Sequence, residues 1–201
     1  MALMPMDRTS RIWLIGMMAL VVSACGLTGS GDIVTEEREV RSFRSISIGG
    51  GVEVELVVDP SAVQSVLVTY DDNLLDRVET RVEGDVLVVE LSGIVNVIGS
   101  GRFVSITMSE VDTIDASGGS DLTAIGETDS YQLNAGGGSD TDLSGLRASL
   151  VEVSVSGGAD ARIFTSDSAI GQASGGSDIT VFGSPAQLNI STSGGADVKS
   201  G

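Results

Sequence analysis

Five copies of one short turn, each closing on an aspartate, constrain this chain more than any other feature. They read Ser117-Gly118-Gly119-Ser120-Asp121, Gly136-Gly137-Gly138-Ser139-Asp140, Ser156-Gly157-Gly158-Ala159-Asp160, Ser174-Gly175-Gly176-Ser177-Asp178 and Ser193-Gly194-Gly195-Ala196-Asp197. The aspartates lie 19, 20, 18 and 19 residues apart. A nearly fixed short period marks an architecture in which each repeat buries its apolar face only against its neighbours.

The columns around the turn name the secondary structure. One residue after the Asp stand Leu122, Thr141, Ala161, Ile179 and Val198; three after it stand Ala124, Leu143, Ile163, Val181 and Ser200. Between them Thr123, Asp142, Arg162, Thr180 and Lys199 are all polar. This is the period-2 alternation of a strand with one buried face. Upstream of the glycines, Ile114, Leu133, Val153, Gly171 and Ile190 make an inward column beside the polar Asp115, Asn134, Ser154, Gln172 and Ser191. Each repeat therefore reads strand, Gly-Gly corner, strand, variable corner, the last containing Gly126 or Gly183-Ser184-Pro185. A period near 19 is too short for strand-helix-strand units, so the expected fold is all-β: a parallel β-solenoid with coils of about 19 residues.

Residues 1–24 place the chain outside the cytoplasm. A basic start (Arg8, Arg11), an apolar run from Ile12 to Val22 and the small pair Ser23-Ala24 precede Cys25, the single cysteine. About 11 apolar residues are too few to cross a bilayer, which needs roughly 20, so this is a cleaved secretory signal rather than a membrane span. Val22-Ser23-Ala24-Cys25 resembles a bacterial lipobox, which makes Cys25 the lipidated first residue of the mature chain. Gly26 after it, in place of Asp, implies the outer membrane if the cell is Gram-negative. Cleavage removes two Arg and one Asp, leaving nine basic and 27 acidic groups. Such a chain repels nucleic acid and anionic headgroups, so lipid on Cys25 is its expected membrane attachment.

The expected organisation is a signal peptide (1–24), a lipidated Cys with a flexible tether (25–31) and one β domain (32–201). Within it, 32–110 form irregular amino-terminal coils and 111–201 the regular ones. Strands are expected over 46–48, 52–58, 66–70, 78–82 and 86–91, with turns at Gly49-Gly50-Gly51, Asp59-Pro60, Asp71-Asp72-Asn73 and Gly84-Asp85. Leu74 to Val82 is open to a short helix, with strand favoured at its valine-rich end.

The order of several short motifs resembles a known family. Ser30-Gly31-Asp32, Arg38-Glu39-Val40, Phe43-Arg44-Ser45-Ile46, Val52-Glu53-Val54, Asp72-Asn73-Leu74, Gly84-Asp85-Val86-Leu87-Val88 and Val104-Ser105-Ile106-Thr107, followed by the Ser-Gly repeats, are similar to the family called putative auto-transporter adhesin, head GIN domain. The resemblance covers roughly residues 30–201. It implies a β-helical extracytoplasmic domain, often lipid-anchored or secreted, with no catalytic residues to carry over. Ser109-Glu110 departs from the proline that the family usually has before its first Ser-Gly repeat.

Stacked in register, Asp121, Asp140, Asp160, Asp178 and Asp197 would stand about 4.8 Å apart, each pair repelling by roughly 1 kcal/mol in water. Such a ladder suits weak calcium binding through carboxylate and carbonyl oxygens. The alternative is that each Asp serves its own turn, a common use of the residue. No other cofactor is expected. An enzyme acting on polysaccharide through paired carboxylates, Asp121, Asp140 and Asp160 with Arg162, is a third possibility. Against it stand the absence of His, a single Lys and few aromatics. Phe164 and Phe182 share a column and are expected to stack; Asp142 and Arg162 share another and are expected to pair. The last repeat stops at Gly201 in mid-coil, and its open edge is expected to pair end to end with a second copy.

Together these features point to a non-catalytic, lipid-anchored envelope protein, an adhesin or a module for an unidentified protein or glycan ligand. The rival reading is a periplasmic scaffold or sensor.

Overall fold

Alternating apolar and polar residues become strands wherever one face finds cover. The computed structural model describes residues 27–93, 95–96 and 100–201; the signal segment and Cys25 lie outside them. The chain begins with β1 (Leu27–Thr28) and β2 (Ile33–Glu37). Next, β3 (Ser45–Gly49) and β4 (Glu53–Val58) flank a glycine turn. They are followed by β5 (Ser65–Asp71), a 3-10 turn at Leu75–Arg77, β6 (Val78–Glu83), β7 (Val86–Leu91), β8 (Val95–Asn96) and β9 (Phe103–Met108). The second half comprises β10 (Thr113–Ala116), the long β11 (Asp121–Ala135), β12 (Asp140–Val155) and β13 (Asp160–Gly175), then β14 (Asp178–Phe182), β15 (Gln187–Gly194) and β16 (Asp197–Ser200). The protein is all-β: fourteen strands share one sheet, β1 and β8 form a separate pair, and the 3-10 turn is the only helical element among the described residues. The open reading of 74–82 resolves into that turn followed by strand.

Successive repeats pair in parallel, in the register of the sequence columns. Asp121 stands opposite Asp140, Asp140 opposite Asp160, Asp160 opposite Asp178 and Asp178 opposite Asp197. Ile114, Leu133, Val153, Gly171 and Ile190 align likewise. Leu122, Leu133, Leu143, Val153 and Ile163 are buried in one continuous core with the inward residues of β3, β4, β7 and β9. At ~25 cal/mol per Å², burying each such aliphatic side chain stabilises the fold by roughly 1.5–3 kcal/mol.

Chain order and stacking order part company at the amino-terminal end. Glu53 pairs with Asp121 and Ile46 with Ile114, so β3 and β4 form a sixth copy of the repeat, with Gly50 aligned to Gly118. On the other side of β3 and β4 lie β7 and β9, also parallel, although they come later in the chain. Antiparallel strands then close this end: β6 on β7, and β5 on β9 with β2 outside it. The irregular part is thus two parallel levels and an antiparallel cap. At the opposite end, β15 and β16 pair only inward among the described residues.

The expected tether is fixed to the domain over its described part. Leu27 and Thr28 pair with Val95 and Asn96, and Gly31 N–H donates to the buried Asp71 carboxylate at 2.7 Å. The same carboxylate is gripped by both Nε and Nη2 of Arg102. Hydrogen bonds from Arg102 draw Asp71 from 3.8 down to about 2, with burial opposing.

Two predictions follow from this packing. Gly171 has φ +146°, and a Cβ there would overlap the Val153 carbonyl; Gly171→Ala is expected to cost roughly 2–4 kcal/mol in urea unfolding. Gly158, with open space around it, is the control, and its Ala variant should stay within about 0.5 kcal/mol. Asp71→Asn strands a buried guanidinium and is expected to cost about 3 kcal/mol at pH 7. Because the folded Asp71 titrates below its ordinary value, the native pair contributes fully above about pH 4 and is lost as pH falls through about 2. The gap between the two proteins should therefore narrow over that range.

Candidate functional site

The repeated turn puts its two polar positions on opposite sides of the wall. The fourth residue points inward: Ser120, Ser139, Ala159 and Ser177 are all buried. A hydroxyl there must find a partner, and each does. Ser120 Oγ donates to Ser117 O at 2.7 Å, Ser139 Oγ to Ala116 O at 3.3 Å and Ser177 Oγ to Ser174 O at 3.0 Å. The restriction of this column to Ser and Ala is the sequence signal of its burial, and the sequence reading passed it over.

The aspartates point outward and are exposed in all five copies. They stand in register, with Glu53 extending the column at its amino-terminal end. Arg162 reaches Asp140 at 3.3 Å, and Lys199 reaches Asp197 at 3.1 Å. The expected Asp142–Arg162 pair does not form. Asp142 instead accepts the Ser144 N–H at 3.1 Å and its hydroxyl at 2.5 Å, holding its own bend. Among the described residues, no three acidic side chains converge so that they could hold a metal ion. Cys25 lies outside the described residues.

A concave site forms elsewhere, where the repeats stop matching. Between Leu143 and Arg147 the register of β12 against β13 slips: Leu143 pairs with Ile163 and Arg147 with Phe164, so Ser144, Gly145 and Leu146 have no counterparts. A second slip follows Ala148, and another separates Thr123 from Ile125. Changes in repeat length are absorbed at this corner, which opens a groove of about 830 Å³. Its walls include Arg44, Asp112, Asp129, Arg147 and Phe164, with serine hydroxyls between them.

Charge in the groove is arranged unevenly. Arg44 grips Asp112 through two bonds of 2.8 and 3.0 Å and meets Glu110 at 2.8 Å. Asp112 is consequently held below the usual carboxylate range, and Arg44 above its own. Arg147 lies over the Phe164 ring, 4.8 Å from its centre, a cation–π contact. Phe164 and Phe182 are register partners, as the shared column predicts. An adjoining cleft of about 400 Å³ shares Asp112 and Ser130 and is bordered by Leu150 and Ile170, which are 53% and 41% exposed. The site thus offers hydroxyls and carboxylates for hydrogen bonding, an aromatic–guanidinium platform and an apolar strip. Neither Arg147 nor the Arg44–Asp112 pair was singled out from the sequence. The one available signal was the 20-residue spacing followed by 18, which brackets this corner.

The family model described as "Putative auto-transporter adhesin, head GIN domain" matches residues 42–124 and again 94–185. The chain belongs to that family. Overlapping matches fit a head GIN domain built from internal repeats. Among solved structures, this domain is similar to one described as a putative adhesin from Bacteroides fragilis. The two share 16% identity over 87% of this chain and all of the other, with a TM-score of 0.54, which speaks to the fold alone. Another, described as a putative adhesin from Parabacteroides merdae, has 16% identity over 88% of this chain and 99% of the other, with a TM-score of 0.43. Among curated proteins, none matches the chain.

The aspartate column yields a test of its own. Asp121 stands between Glu53 and Asp140, so Asp121→Asn is expected to raise stability by up to roughly 1 kcal/mol at low salt. The gain should vanish near ~1 M salt, where the screening length is about 3 Å. Thermal unfolding at the two salt concentrations measures it.

Proposed function

We propose that the parallel ladders close into a β-solenoid with coils of about 19 residues, that lipid on Cys25 holds it at the cell envelope, and that it binds an extended protein or glycan chain without catalysis. The outer membrane is the proposed location in a Gram-negative cell. The observation that carries this reading is the groove: the inward columns of the repeat are occupied with packing, the outward Asp column runs along a wall, and the corner where the register slips is concave. Rigid scaffolds commonly carry binding residues on such irregular segments. The family's description supports an adhesive role, and the groove supplies the complementary chemistry. Its hydroxyls and carboxylates suit a polar polymer, while Leu150 and Ile170 offer it an apolar edge.

Two measurements test the proposal. Protease added to intact cells is expected to cleave the domain, as an exposed adhesin requires; protection until the envelope is permeabilised would favour the periplasmic scaffold or sensor reading. Glycan and peptide arrays probed with the purified domain should give binding that Arg147→Glu reduces by about tenfold, equivalent to about 1.4 kcal/mol. Binding that ignores this substitution would remove the groove from the reading.

A further inference from the structure

The inward columns that form the core are buried along the stack and open at the level formed by β15 and β16. Tyr131, Val151 and Ala169 share one column and are 3%, 2% and 0% exposed, whereas Leu188, next in register, is 43% exposed. In neighbouring columns Leu133 and Val153 are buried while Ile190 is half-buried, and Ile179 is buried while Val198 is half-buried. Backbone at this level is open in the same way. Asp197 N–H donates to Ser177 O at 3.0 Å and Gly201 N–H to Val181 O at 2.9 Å, so alternate residues of β16 face β14. Val198 and Ser200 therefore turn their N–H and C=O groups to the outer edge, where no strand pairs with them among the described residues. An apolar core edge beside unpaired backbone is a template for another chain.

Charge and symmetry limit what that chain can be. A protein of net charge −17 repels its own copies, yet this surface is locally balanced: β15 carries no charged side chain, and β16 carries Asp197 and Lys199. Both are exposed and lie 3.1 Å apart. Antiparallel pairing of β16 with the β16 of a second copy, centred on Val198, sets Asp197 opposite the partner's Lys199 and Lys199 opposite the partner's Asp197. The same register makes Val198 a hydrogen-bonded pair with its own equivalent and puts the charged residues at the closer, non-bonded positions. Moving the centre to Lys199 would oppose two lysines, and a half-step shift would set inward side chains against outward ones. One register satisfies backbone, charge and face together.

We infer that this surface docks a second copy of the chain, the two joining through antiparallel β16 strands about a two-fold axis at Val198. The other extremity of the stack is covered by the antiparallel β2, β5 and β6 and does not offer the same edge. The contact is accordingly isologous, and the assembly closes at two copies rather than growing into a fibre. Each dimer carries two grooves, a bivalent arrangement for any polymer that binds there.

Sedimentation equilibrium of the full-length protein in a density-matched neutral detergent tests this. The native protein is expected to be dimeric at about 10 μM. Asp197→Lys and Lys199→Asp each set like charges face to face, and each should weaken dimerisation by about tenfold or more. An equimolar mixture of the two variants should form heterodimers, because a copy with two lysines then meets a copy with two aspartates. Both side chains are exposed, so neither change disturbs the core. Native protein that stays monomeric at about 100 μM overturns the inference. Dimers that survive both charge reversals unchanged place the contact elsewhere and overturn it too, as does a mixture no more dimeric than its components.

Discussion

The ladders that join successive repeats pass through one point of close backbone approach, the first corner glycine. Gly50, Gly118, Gly137, Gly157, Gly175 and Gly194 all have positive φ. A Cβ on Gly118 would stand 3.1 Å from Gly50 N, and one on Gly137 3.2 Å from Gly118 N. Side chains at this column would both strain the turn and wedge successive levels apart. The column therefore sets the spacing at which inward residues can meet, and the thin core of Leu, Ile, Val and Ala depends on that spacing. It also fixes register, because a strand entering from the same turn conformation begins its alternation in the same phase.

From that shared phase the two sides of the wall acquire different duties. Inward positions carry stability, including the small Ser and Ala residues that close each corner. Outward positions carry a column of like charges, relieved in part by Arg162 and Lys199. That charge keeps the outer wall hydrated and hostile to anionic partners. The groove escapes this regularity because its corner takes up the differences in repeat length. Arg147 in β12 and Phe164 in β13 are placed by their ladder, and Arg44 by its step just ahead of β3, while the intervening residues bulge.

The cap solves a separate problem. A parallel stack exposes unpaired backbone at its first level, and β6, β5 and β2 cover it with antiparallel strands. Pairing β3 and β4 with β7 and β9 on one side and with β10 and β11 on the other buries the earliest repeat on both faces. The chain accordingly visits its second level before its first. The buried Asp71–Arg102 pair then ties the entering segment to this cap, through the Gly31 N–H that donates to the same carboxylate.

The repeat itself was legible in the sequence. Period, strand alternation, corner glycines and the register of Asp121, Asp140, Asp160, Asp178 and Asp197 all follow from local backbone chemistry copied five times. The sixth copy was not, because Gly49-Gly50-Gly51-Val52-Glu53 keeps the glycines but replaces the serines and the Asp, and its neighbour in space lies 68 residues away. Nor did columns indicate that Arg162 would choose Asp140 over Asp142, since a long side chain reaches diagonally across a sheet. Sequence determined the repeating unit, because its constraints are met within and between identical turns. Tertiary structure alone decided the cap, the level order and the groove, since each arises where non-identical segments meet and long-range packing, not local preference, selects the partner.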